Sequence, residues 1–63
     1  MPETNLEMAR RHVAEQEARI IRQEALIRRL ENVGAPTAAA KDLLARMIEL
    51  LAAFRADLVR LSN

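Results

Sequence analysis

The chain has 63 residues with no cysteine and one histidine, and its ten basic and nine acidic side chains leave a formal net charge of +1. This length allows one domain with a small core, without disulfides or cysteine-ligated metals. The charge balance gives no overall basic excess for nucleic acid or an anionic membrane. A core of this size rarely supplies more than about 3–5 kcal/mol, so association is the expected source of further stability.

The composition is typical of helix bundles. Apolar residues make up 51% of the chain, but Phe54 is the only aromatic one. Abundant Ala, Glu, Arg and Leu indicate coiled-coil or bundle helices, so we predict an all-α protein. No apolar run approaches the roughly 20 residues of a membrane span, and the first residues lack the pattern of a signal peptide. We therefore expect a cytoplasmic protein that makes no contact with a membrane.

The first predicted helix covers residues 5–32. Thr4 and Glu7 match a capping box, in which each side chain bonds the backbone amide of the other residue. A heptad-like apolar seam follows, and its members are Leu6, Ala9, Val13, Gln16, Ile20, Gln23, Ile27 and Leu30. We expect both glutamines to lie at the edge of a thin core with their amides in water. The alternative is that they are buried and paired, which would fix register.

A single break divides the helical periodicity, and it contains the only glycine. Gly34 suits a left-handed residue at the end of a helix, and Leu30 and Ala35 occupy the positions whose contact often accompanies that cap. Pro36 cannot continue the helix. The turn is therefore predicted at 33–36, with Thr37 capping a second helix, or alternatively with Pro36 as its first residue.

The second predicted helix covers residues 37–61 and has an unbroken seam: Thr37, Ala40, Leu44, Met47, Leu51, Phe54, Leu58 and Leu61. A short link places the two helices side by side in an antiparallel αα-hairpin. In the simplest alignment Gln16 faces Phe54 and Gln23 faces Met47. Favourably oriented i,i+4 ion pairs are also predicted: Glu7–Arg11, Glu15–Arg19, Glu24–Arg28 and Asp42–Arg46.

The apolar arc of the second helix spans about 220°, which one partner helix cannot cover. We therefore predict a homodimer or higher homo-oligomer, with the hairpin forming a four-helix bundle. The predicted interface draws on both flanks of the seam and consists of Leu43, Met47, Ile48, Leu50, Leu51, Phe54, Leu58, Val59 and Leu61. Which flank faces the partner is left open by the sequence. A helical protein is another candidate partner.

Two features of the first helix suggest further surfaces. A stripe of Ala14, Ala18, Ile21 and Ala25 is a candidate second interface, although alanine also suits a solvated face. Candidate phosphate contacts are Arg19, Arg22, Arg28 and Arg29, but they point in several directions and have no aromatic neighbours for base stacking. Nucleic acid is the less favoured partner.

Catalytic chemistry has little support in the sequence. No nucleophile and base stand at a meaningful spacing, and no glycine-rich phosphate loop is present. His12 is expected to be a half-exposed residue at the edge of the seam, and as a metal ligand it would need companions such as Glu15 from another subunit. We predict neither an enzyme nor a bound metal or cofactor.

Several segments carry a resemblance that spans most of the chain. They are Ala9 to Glu15, then Ile20, Arg22-Gln23, Ile27 and Leu30-Glu31, and after the break Thr37, Ala40 and Leu43 to Ala45. The chain resembles a group of short uncharacterised bacterial proteins, from which it departs at Gln16 and at Ala35-Pro36. The resemblance implies a small bacterial protein and brings no activity or functional residues. The expected function is a self-associating helical interaction or scaffold module; the alternative is a small nucleic-acid-binding regulator.

Overall fold

A computed structural model describes residues 2–63 as two helices, α1 (Asn5–Asn32) and α2 (Ala38–Ser62). They pack antiparallel along their lengths and span 47 × 21 × 13 Å. The predicted all-α hairpin is confirmed. The bounds of α1 are those predicted, and α2 begins and ends one residue later than expected.

The start of α1 is capped by Thr4, as predicted. Its hydroxyl accepts a hydrogen bond from the Glu7 amide at 3.0 Å, which satisfies one of the free amides of the first turn. The second predicted hydrogen bond of the capping box, from the Thr4 backbone amide to the Glu7 side chain, is wrong. The Glu7 carboxylate accepts from the Thr4 hydroxyl at 3.0 Å instead of reaching the Thr4 amide, because that hydroxyl has a proton to donate.

The turn closes α1 with the cap that Gly34 predicts. Gly34 has φ +70°, a conformation in which a Cβ atom is strained. The Ala35 amide donates to the Leu30 carbonyl at 2.9 Å and the Gly34 amide to that of Glu31 at 3.1 Å, which is the Schellman pattern. Thr37 takes the N-cap position of α2, but its side chain makes no capping hydrogen bond. Pro36 lies outside α2, so the alternative start is wrong.

The core follows the two predicted seams. Ala9, Gln16, Ile27 and Leu51 are buried, and the other seam residues are half-buried except Leu61, which is 39% exposed. Both seams therefore face the same narrow interface. Because each helix contributes one stripe, the core has a single row of contacts.

The expectation that both glutamine amides lie in water is wrong. Gln16 is 1% exposed, and its Nε2 donates to the Met47 carbonyl at 2.9 Å. Gln23 is half-buried, and its Nε2 donates to the Ala40 carbonyl, also at 2.9 Å. A helical carbonyl has a second lone pair beside its intrahelical bond, so both amides find partners without disrupting α2.

The predicted alignment of the helices is also wrong, by about one turn. Phe54, expected opposite Gln16, packs its ring against His12 with the centroids 5.1 Å apart. The two glutamines likewise bond carbonyls nearer the start of α2 than the residues predicted to face them. The Ala35–Leu30 bond folds the chain back along α1. As a result the start of α2 lies beside the last turns of α1, short of its C-terminal end. The last turns of α2 lie beside Ala9.

The predicted ion pairs within helices are not the ones formed across residues 2–63. Arg11 pairs with Glu3 at 2.9 Å and with Glu15 at 3.0 Å, and Arg60 pairs with Asp57 at 2.6 Å. Glu7 is occupied by the cap, which leaves Arg11 for other acids. Exposed pairs of this kind contribute little stability, so the difference leaves the fold unaffected.

The buried amide of Gln16 generates a prediction about stability. Replacing Gln16 with Ala removes the hydrogen bond and leaves a void, which should lower the free energy of unfolding by about 2–3 kcal/mol. Gln16→Leu keeps the volume, and the Met47 carbonyl keeps its intrahelical partner, so its cost should stay below about 1 kcal/mol. Urea unfolding at one fixed protein concentration measures both. Equal losses for the two variants would contradict this packing account.

Candidate interaction surface

The residues that could engage a partner lie mainly on α2. Five of its large apolar side chains are exposed by more than a third: Leu43 (47%), Ile48 (50%), Leu50 (44%), Val59 (61%) and Leu61 (39%). They belong to the predicted interface. So do four seam residues that α1 covers: Leu51 is buried, and Met47, Phe54 and Leu58 are half-buried. The exposed members form two separate flanks, one on each side of the hairpin.

Ion pairs between the helices occupy one of these sides. Arg55 approaches Glu17 at 3.4 Å, and Lys41 approaches Glu31 at 3.7 Å. At about 100° per residue, Lys41 and Arg55 share their side of α2 with Ile48 and Val59. We call this the ion-paired side. Ile48 lies between the two charged groups and Val59 lies one turn beyond Arg55, so any partner docking there would have to bury or displace these ion pairs.

The opposite side of the hairpin has no ion pair between helices within the part of the chain that the structure describes. Leu43, Leu50 and Leu61 lie about 80–100° from Leu51 in this direction. Together with Met8 of α1, which is 37% exposed, they border the half-buried side chains of Met47 and Phe54. We call this surface the open face; its residues are Met8, Leu43, Met47, Leu50, Phe54 and Leu61.

A cavity of about 220 Å³ indents the open face near the chain termini. Both helices build it, and its lining combines apolar and polar side chains: Asn5, Met8, Ala9, His12, Phe54, Asp57, Arg60 and Leu61. The one-turn displacement of α2 creates it, because Leu61 then lies level with the first turn of α1. The predicted alignment did not place these residues together.

His12 is half-buried at the edge of the seam, as expected. Its ring packs on Phe54 at an interplanar angle of 34° and forms one wall of the cavity. Two carboxylates that could accompany it are engaged elsewhere: Glu15 pairs with Arg11, and Asp57, which lines the same cavity, pairs with Arg60. Across residues 2–63, no group of three or more His, Asp or Glu side chains is arranged to hold a metal ion.

A cluster of charged side chains lies at the start of α1. Arg11 donates hydrogen bonds to both carboxylate oxygens of Glu3, at 2.9–3.2 Å, and these lower the pKa of the Glu3 carboxyl below its ordinary value. The same bonds, together with one to Glu15, raise the pKa of the Arg11 guanidinium. This cluster ties the residues before α1 to the helix surface.

The four candidate phosphate-binding arginines are all exposed, and none forms an ion pair within residues 2–63. They are not brought to one face. Arg22 and Arg29 are close together, about 20° apart around α1. Arg19 lies on the edge of α1 toward the open face. Arg28 lies about 100° from Arg29, toward the ion-paired side.

The candidate second interface lies on the back of α1, away from α2. Ile21 is 63% exposed and Ala14 is exposed, whereas Ala18 and Ala25 are half-covered. The stripe is shallow and includes one large apolar side chain. It therefore offers much less apolar contact area than the open face.

Neither helix in the described part of the chain has an apolar stretch long enough to cross a membrane.

Sequence patterns revealed the apolar excess of α2 but not the cavity, because the cavity depends on how far the helices slide along each other. The sequence carries no signal for that alignment in the acceptors of Gln16 and Gln23, because every residue of α2 has a backbone carbonyl. Comparisons with models of protein families, with curated proteins and with solved structures found no match for this chain.

Proposed function

We propose that this protein is a non-enzymatic, self-associating helical module whose working form contains at least two copies. The observation that carries the proposal is the open face, an apolar surface on a hairpin that has only one layer of helices. A cytoplasmic setting suits the absence of cysteine from the sequence. Membership of the bacterial group that the chain resembles would add no activity to this proposal.

The dimensions of the hairpin support association. Its 13 Å thickness is close to the diameter of a single helix, whereas domains normally have two packed layers. The radius of gyration is 14.8 Å, against about 11 Å for a compact domain of this length. A second hairpin stacked on the first would supply the missing layer.

The surface area leads to the same proposal. The hairpin exposes 4826 Å², whereas a compact monomer of 7.1 kDa should expose about 4,100 Å². The excess is several hundred Å², similar to the roughly 800 Å² that each partner buries in a standard interface. Among residues 2–63 the buried apolar side chains are Ala9, Ile27 and Leu51, which is a very small core for a stable monomer.

The mass in solution tests this proposal. We expect light scattering to give at least twice the 7.1 kDa chain mass at micromolar concentrations, with dissociation on dilution. Leu50→Glu places a charge in the middle of the open face and should shift the mass toward that of one chain. A single-chain mass for the unaltered protein at millimolar concentration would overturn the proposal.

The unpaired arginines of α1 support a second candidate function, a small nucleic-acid-binding regulator. Arg19, Arg22, Arg28 and Arg29 are exposed and free of acidic partners among the described residues, so they are available to phosphates. Their spread around α1 limits how many can contact one duplex at a time. For this reason we rank association with a second copy above this function.

Fluorescence anisotropy with labelled duplex DNA and RNA separates the two candidates. Binding through these side chains should weaken steeply between about 50 and 200 mM salt, and the double change Arg19→Gln with Arg22→Gln should reduce it. The matched control is Arg10→Gln with Arg46→Gln, which removes the same charge from two other exposed positions. Absence of binding at low salt would eliminate the second candidate.

A further inference from the structure

We infer that the open face binds the open face of a second copy in an antiparallel arrangement, with Leu43 of each copy seated in the cavity of the other. This inference rests on the proposed function and specifies where and how the two copies meet. It is drawn from an exposed leucine, a cavity with mixed apolar and polar walls, and the distribution of charge.

The choice of face follows from the ion pairs. Ile48 and Val59 on the ion-paired side are as exposed as the leucines of the open face, but Ile48 lies between Lys41 and Arg55, and Val59 lies one turn beyond Arg55. Docking there would take two ion pairs out of water, which costs free energy that contact with two apolar side chains hardly offsets. The open face presents a longer apolar row, and the one ion pair beside it, Arg60–Asp57, lies within α2 at the rim of the cavity.

The orientation of the two copies follows from which helices face each other across the contact. On the open face α2 contributes leucines, whereas α1 contributes Met8 and the edge marked by Arg19. Two stacked hairpins can place α2 over α1 of the other copy, which sets Leu50 near Arg19. Alternatively they can place α2 over α2, which sets leucine against leucine. The second arrangement buries more apolar surface, and its two-fold axis makes the facing helices antiparallel.

The position of the two copies along the helix axis follows from the row of apolar residues, which runs from Leu43 to Leu61. A two-fold axis that places the start of one row opposite the end of the other passes near Ala52. Leu43 then faces Leu61 of the second copy, at the border of the cavity. The volume of about 220 Å³ is ample for a leucine side chain, and Met8, Phe54 and Leu61 supply apolar walls for it.

Charges on α1 agree with this arrangement. His12 of α1 lies level with Phe54 of α2, and the helices are antiparallel, so Ala52 lies level with Ala14. The two-fold axis therefore crosses α1 near Ala14. The beginning of one α1 then lies beside the middle of the other. Residues 1–17 contain four glutamates and two arginines, whereas residues 19–29 contain four arginines and one glutamate. These opposite charges favour the antiparallel pair and penalise a parallel one.

Two alanine variants of matched exposure test the choice of face. Leu43 is 47% exposed and Ile48 is 50% exposed, and alanine preserves the helix at both positions. Leu43→Ala should raise the dissociation constant of the dimer by roughly 100-fold, because two seated leucines are lost per dimer. Ile48→Ala should change it by less than about threefold. Sedimentation equilibrium measures both constants, and the reverse order of effects would overturn the inference.

Disulfide trapping tests the orientation, since the natural chain has no cysteine to interfere. Leu43→Cys protein labelled with ¹⁵N is mixed with unlabelled Leu61→Cys protein and oxidised. Mass spectrometry should then show the mixed disulfide as the main product, because a disulfide needs Cα atoms within about 7 Å. Preferential Leu43→Cys self-linkage would indicate a parallel pair and overturn the inference.

The matched control for trapping uses the ion-paired side, with Ile48→Cys mixed with Val59→Cys. Efficient trapping of this control pair, without trapping at positions 43 and 61, would show a dimer that uses the other face. That outcome would overturn the inference and leave the proposed function standing. A protein that stays a single chain at millimolar concentration would overturn both.

Discussion

Two helices placed side by side can bury only one stripe of each other, and this constraint governs the rest of the structure. In α2 the apolar arc is wider than that stripe, so leucine, isoleucine and valine side chains remain exposed on both of its flanks. The contact with α1 covers Leu51 completely and its seam neighbours in part. In the proposed association, further stability comes from a second hairpin on the open face, the only side without ion pairs between the described parts of the helices.

The two glutamines show how a thin core can still specify one alignment. Gln16 and Gln23 are seven residues apart, and so are the Met47 and Ala40 carbonyls that they bond. Sliding α2 by a fraction of a turn would break both hydrogen bonds while the amide of Gln16 stays buried, which is costly. Apolar contacts alone restrain the sliding of α2 along α1 only weakly, because after a slide one leucine can occupy the place of another. The amides thus set the alignment, and the alignment in turn creates the cavity on the open face.

Much of the fold could be predicted from the sequence because its signals are local. Thr4 and Gly34 mark the ends of α1 through hydrogen bonds to residues within one or two turns, and the seams follow from spacing. The relative position of the helices could not be predicted in the same way. It depends on where the Gln16 and Gln23 amides find carbonyls on the other helix and on how the Ala35–Leu30 bond folds the chain back. The candidate surface was therefore predicted as a set of residues, whereas the choice between its two flanks needed the positions of Arg55 and Lys41.

The central claim is that folding of the hairpin is coupled to burial of its open face by a second copy. Thermal unfolding followed by circular dichroism across a thousandfold range of protein concentration tests this claim most directly. Coupling predicts a midpoint that rises steadily with concentration, because the folded form is stabilised by mass action. A cooperative transition whose midpoint stays high and constant on dilution would contradict it, because the single hairpin would then be stable on its own.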